Sequence, residues 1–152
     1  MMKLEYLMTY NAELKSAISM GKGPYGTRSF GEVKGGRFEG PKLKGKLLTG
    51  GGDWVLVDDQ GMGHIDVRVN FETDDGAVIY GQYYGRLEFN ETVLAAFASQ
   101  GGTEYGDSYF IVTPRFETGD ERYAWLNDRV CVAEGRIKGG GVEYRCYTVE
   151  ND

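Results

Sequence analysis

From His64 to Phe71 the chain alternates without a break. Ile65, Val67, Val69 and Phe71 fall on one side, and His64, Asp66, Arg68 and Asn70 on the other. A period of two is the mark of a half-buried strand. Asp74-Asp75-Gly76 follows, residue types that accept the positive φ of a tight hairpin turn. Ala77–Leu87, rich in Val, Ile and Tyr, then returns. A hairpin as the clearest pattern implies an antiparallel sheet. Gly81 and Gly85 in the returning strand mark places where that sheet bends sharply.

Short runs of the same kind recur at Leu4–Thr9, Thr27–Lys34, Arg37–Glu39, Leu43–Leu48, Asp53–Val57, Ser108–Thr113, Tyr123–Glu134 and Val142–Val149. The 24 glycines between and within them follow no fixed period, which fits tight turns and excludes collagen-like repeats. One short helix is expected near 90–100. Asn90 caps it, Val93, Leu94 and Phe97 give one apolar stripe, and Gly101-Gly102 ends it. The pattern predicts an all-β chain, an antiparallel β-barrel of about ten strands, because closure removes the exposed edges of so many short strands. At 152 residues it forms a single domain over 1–152, with no linker or repeat.

The net charge of −6 repels phosphate backbones, and no basic run reverses it locally, so no nucleic-acid partner is expected. No apolar window approaches a membrane span and Met1–Glu5 has no signal-peptide core, so the protein is expected to be cytoplasmic, with no membrane partner. Cys131 and Cys146 then read as small buried thiols; a bridge would need the register to bring both to one face. His64 is the only histidine, which argues against a multi-histidine metal site, so no metal is expected; a serine–histidine–acid triad would have to use it, and no nucleophile-elbow sequence is present. Gly21–Gly26 matches a dinucleotide-loop spacing, but Pro24 interrupts it and a β-like run follows, so no cofactor is expected.

The densest chemistry lies in Thr113–Asn127. Arg115 and Glu117 are two residues apart, as are Tyr123, Trp125 and Asn127 on what reads as the next strand. Two rings and an amide on one face make a ligand wall; the same rings could equally sit in the core, with Asn127 serving a turn. Asp66 and Arg68 also share a side. On the outer surface they are a solvated pair of little consequence; in a barrel lumen they are a buried acid and a fixed cation. Asp53-Trp54, straight after Gly50-Gly51-Gly52, is a similar mixture.

Together these segments resemble the DUF3237 family, also called UPF0311. The resemblance is carried in order by Gly36–Gly45, Gly51-Gly52-Asp53-Trp54, Thr73–Tyr80, Thr113–Gly119 and Tyr123–Asn127. Asp66 and Arg68 fall where the family pattern has an acid and an arginine, and His64 lies outside that pattern. The resemblance implies a lipocalin-like or calycin-like barrel and a small organic ligand, and it favours the lumen for Asp66 and Arg68.

Two functions fit. The first is a cofactor-independent enzyme moving a proton on an aromatic or carboxylate-bearing metabolite, of isomerase, dehydratase or cyclase type. Asp66 would be the general acid/base, with Asp53 and Glu117 as further carboxylates. Arg68 and Arg115 would hold an anion, and Trp54, Tyr80, Tyr123, Trp125 and Asn127 would contact substrate. The second is a non-catalytic small-molecule-binding barrel. Tyr83-Tyr84 and Tyr144–Tyr147 offer candidate patches for a homodimer.

Overall fold

The hairpin required by the alternation is present. In this computed structural model, which describes residues 1–152, β6 (Met62–Thr73) pairs antiparallel with β7 (Val78–Glu88) from Met62 opposite Glu88 to Glu72 opposite Val78. Gly76 takes a φ of 96° in the turn between them. The other strands are β1 (Lys3–Leu14), β2 (Ile18–Gly23), β3 (Gly26–Glu39), β4 (Lys44–Leu47), β5 (Gly52–Val57), β8 (Phe110–Glu117), β9 (Cys131–Lys138) and β10 (Gly141–Glu150).

All ten strands belong to one antiparallel sheet, in the order β1-β10-β9-β8-β7-β6-β4-β3-β2. β5 bridges β3 and β6 beside β4, and pairing of β1 with β3 closes the ring. The fold is thus an all-β antiparallel barrel, with β2 hanging from β3 as a fully exposed flap.

Inward and outward residues alternate as the pattern predicts. Ile65, Val67, Val69 and Phe71 are all buried. Around Phe71, the rings of Tyr10, Phe38 and Phe116 pack edge-on at centroid distances of 5.2, 5.4 and 5.5 Å. This half of the lumen is a solid core. Gly81 is part of it: a Cβ there would lie 2.6 Å from the Phe71 ring, so the glycine makes room for the ring rather than merely bending the strand.

Three local expectations differ from the structure. Thr27–Lys34 and Arg37–Glu39 are one continuous strand, β3, running through Gly35-Gly36. Tyr123–Glu134 is not one strand: Glu121–Asp128 forms a 3₁₀ helix, and β9 starts only at Cys131. Asp120 sets that helix by accepting from the Arg122 N–H at 2.9 Å. Helix α1 (Glu91–Ser99) is capped by Asn90, whose Oδ1 accepts from the Val93 N–H at 2.9 Å. Its left-handed terminal residue is Gln100, with φ 54°, one position before the glycines. No helix is long and apolar enough to cross a membrane.

Cys131 and Cys146 face inward from neighbouring strands. Cys131 stands opposite Thr148 and Cys146 opposite Ala133, so the two are diagonal neighbours on one face, buried and unbridged.

Candidate functional site

The end of the barrel away from the β6–β7 turn is not filled. A cavity of about 640 Å³ occupies it, with 11 of its 21 lining residues hydrophobic. That size suits a drug-sized organic ligand. Val55, Ile65, Leu87, Phe110 and Val142 form walls, while Leu94 and Phe97 of α1 lie against the cavity. The Phe97 ring stacks on Phe89 at 6.0 Å, which ties the helix to the rim.

Asp53 enters this apolar space. It stands opposite Gly31 on β3 and Val67 on β6, both on the inner face, whereas its neighbour Trp54 turns outward. Two of the three glycines before it explain why β5 can run here. A Cβ on Gly51 would meet the Arg68 carbonyl oxygen at 2.4 Å, and one on Gly52 would meet the Phe30 ring at 2.2 Å. Phe30 in turn packs on Trp54 at 4.7 Å on the outer face.

Asp53 is half-exposed in surface terms, yet what it faces is the cavity. Burial in the wall lifts its carboxyl to about 7; the Asp66 charge adds to the rise, and the Asp66 N–H, donating at 3.4 Å, opposes it. A carboxyl titrating there can both take and give a proton near neutral pH.

Behind Asp53 lie three phenols. Tyr10, Tyr83 and Tyr144 are each 1% exposed, and the Tyr83 and Tyr144 rings meet at 5.3 Å. Burial raises all three hydroxyls well above the ordinary phenol value, and the Asp53 charge pushes Tyr83 and Tyr144 further up. They stay protonated, as O–H groups, at any physiological pH. The Tyr10 hydroxyl lies near that of Tyr83, yet it makes no hydrogen bond of good geometry and is a buried unpaired group.

Of the residues expected to act on or contact a substrate, Asp53 alone reaches this cavity. Asp66 and Arg68 do not face the lumen: they alternate with buried Ile65, Val67 and Val69, and Arg68 is exposed. Arg115 and Glu117 are exposed for the same reason, alternating with buried Pro114 and Phe116 on β8. Tyr80 is paired with Glu117 and shares its outer face. Trp54 is 40% exposed on the outside.

Tyr123, Trp125 and Asn127 do not form one wall, because a helix with three residues per turn points them in different directions. Tyr123 donates to both carboxylate oxygens of Asp75, at 2.8 and 3.0 Å. Trp125 lies under the Lys42 ammonium at 5.3 Å. Asn127 accepts from the Thr118 N–H at 2.8 Å and donates to its carbonyl at 2.9 Å. All three tie down the closed end of the barrel. Tyr83 and Tyr144, expected in surface patches, point inward instead. The signal that could have found them was their register with Val67 and Val142.

A model of the family described as protein of unknown function (DUF3237) matches residues 2–149. A UPF0311 protein of Rhodopseudomonas palustris is 30% identical over 126 residues, 82% of each chain. Among solved structures, a β-barrel-like protein from Acinetobacter baumannii is 35% identical, with a TM-score of 0.84 over 99% of this chain and 97% of that one. An enzyme from Penicillium herquei shares the fold at 19% identity, with a TM-score of 0.74 over 98% and 95% of the two chains.

Proposed function

This chain belongs to the DUF3237 family, and we propose that it is a cofactor-independent enzyme that moves a proton on a small organic molecule held in the open half of the barrel. One observation carries the reading: Asp53 sets a carboxyl titrating at about 7 into the wall of an apolar cavity. That is the arrangement general acid–base chemistry needs. That a distant neighbour of the same fold, from Penicillium herquei, is an enzyme is in keeping with it.

In the proposed step, the Asp53 carboxylate accepts a proton from a weakly acidic C–H or O–H of the ligand. The carboxylic acid so formed returns the proton to another atom of the same molecule. No electrons leave the ligand, so the outcome is an isomerisation, an elimination or a ring closure. Tyr83 and Tyr144, buried behind Asp53 and protonated, add no charge to its surroundings.

The test is incubation with a pool of small metabolites in D₂O, followed by mass spectrometry. The reading expects an isomeric or deuterium-shifted product that forms with the wild type and not with Asp53→Asn. A metabolite that is bound and released unchanged by both proteins would instead make this a binding barrel. The apolar majority of the cavity wall is the feature that favours this second reading.

A further inference from the structure

The lumen differs from its surroundings in which charges it admits. Beyond Asp53, the charged residues touching the cavity are Glu13, Lys15 and Lys34, all of them solvent-exposed. Lys15 is already held by Glu32 at 2.7 Å. Glu13 and Lys34 carry opposite charges, so the rim as a whole has no excess of positive charge. No arginine lines the cavity, since Arg68 and Arg115 lie on the outer face. The inner wall thus presents one acid and no cation.

We propose that the lumen selects a neutral, largely apolar molecule bearing one weakly acidic proton, such as an enolisable ketone or a phenol, and turns away molecules carrying a carboxylate or phosphate. The proposal rests on the lumen being the reacting cavity. A permanent anion in the inner half would lose its hydration, find no cation, and stand near a carboxyl of like charge. A neutral molecule loses little on entry and gains contact with Val55, Ile65, Leu87 and Phe110. Its single acidic proton would meet the only polar, titrating group on the inner wall. Negative charge would then arise only during the reaction, once Asp53 has become neutral by taking the proton, so two anions never share the cavity.

The experiment compares binding of 2-naphthol and 2-naphthoate, two probes with the same ring system, to the purified wild type at pH 7 by calorimetry and fluorescence. 2-Naphthol is expected to bind about tenfold or more the tighter. In Asp53→Asn, which removes the like charge, the gap is expected to narrow from the naphthoate side. Equal or tighter binding of 2-naphthoate to the wild type would overturn the proposal. So would failure of 2-naphthol to bind at about millimolar concentration, which is weak for an apolar ligand of this kind. Turnover is not read in this experiment, so the two ideas fail separately. A preference for naphthoate alongside Asp53-dependent turnover would remove only the substrate class. A preference for naphthol with no Asp53-dependent turnover of any metabolite would remove only the proton-transfer reading.

Discussion

Asp53 and Tyr83 stand on one rung of the barrel, joined through Val67, which is opposite Asp53 on one side and Tyr83 on the other. Residues opposite one another in an antiparallel sheet share a face, so the carboxyl and the phenol enter the lumen together. Burial keeps the Tyr83 hydroxyl protonated, and above its midpoint the Asp53 charge adds to that effect; burial in the same wall raises the carboxyl.

The raised Asp53 value makes stability depend on pH in a defined direction. Between the ordinary carboxylate range and about 7, the folded protein holds a proton that the unfolded chain has released. The Asp53 contribution to stability is therefore fully present below the unfolded value and is lost as pH rises through about 7. Asp53→Asn removes this dependence. Urea unfolding should show the variant a few kcal/mol more stable than the wild type at about pH 8, with the two converging near pH 4. Parallel curves across that range would contradict the raised value.

The outer-face residues should be bystanders to the cavity. Arg68→Ala and Arg115→Ala are expected to leave 2-naphthol affinity within about twofold of the wild type, because both charges are solvent-screened on the outer face of the sheet. Asp66→Asn should differ in one respect. It removes a like charge near Asp53, so the Asp53 midpoint should move down while affinity changes little. A loss of binding in any of the three would place that residue back in the lumen.

At the closed end, Tyr123→Phe removes the hydroxyl that grips Asp75 and nothing else. The melting temperature should fall by about 2–4 °C, with 2-naphthol binding unchanged. The same pairing predicts acid sensitivity. The Thr73 hydroxyl, then Tyr123 and Arg122, hold Asp75 below the ordinary carboxylate value. Its contribution is therefore present at neutral pH and lost as pH falls through that lowered value. Tyr123→Phe should flatten the acid limb of a stability profile; weaker binding in this variant would show that the 3₁₀ helix reaches the site.

Leu94 and Phe97 are 55% and 38% exposed, although both line the cavity. Truncating them therefore removes ligand contact more than core packing. Leu94→Ala and Phe97→Ala are expected to weaken 2-naphthol binding about three- to tenfold, with thermal midpoints shifted by only a few degrees. A large stability loss without a change in affinity would make α1 a structural cap and not a wall of the site.

Much of the barrel was legible in the sequence because its cause is local. The Ile65–Phe71 alternation, the Asp-Asp-Gly turn and the Asn90 cap each act over a few residues, and each is present. The same alternation also places Asp66 and Arg68 outside once Val67 is known to be inside, but periodicity alone does not say which face closes into the lumen. The Tyr123–Asn127 segment misled because its spacing fits a strand, while the neighbouring Asp120 caps a 3₁₀ helix there and Asp75, from the distant β6–β7 turn, grips Tyr123. Tyr10, Tyr83 and Tyr144 look like ordinary strand residues. Only closure of β1, β7 and β10 around one axis brings their rings together behind Asp53.

The central claim is that Asp53 is a near-neutral acid in the lumen, and a carbon-13 carboxyl titration tests it most directly. Protein labelled at the aspartate side-chain carboxyl carbons and titrated by NMR should show one resonance with a midpoint at about 7, absent from Asp53→Asn. If every aspartate resonance, Asp53 included, titrates in the ordinary range near about 4, the carboxyl is not poised for proton transfer and the account fails.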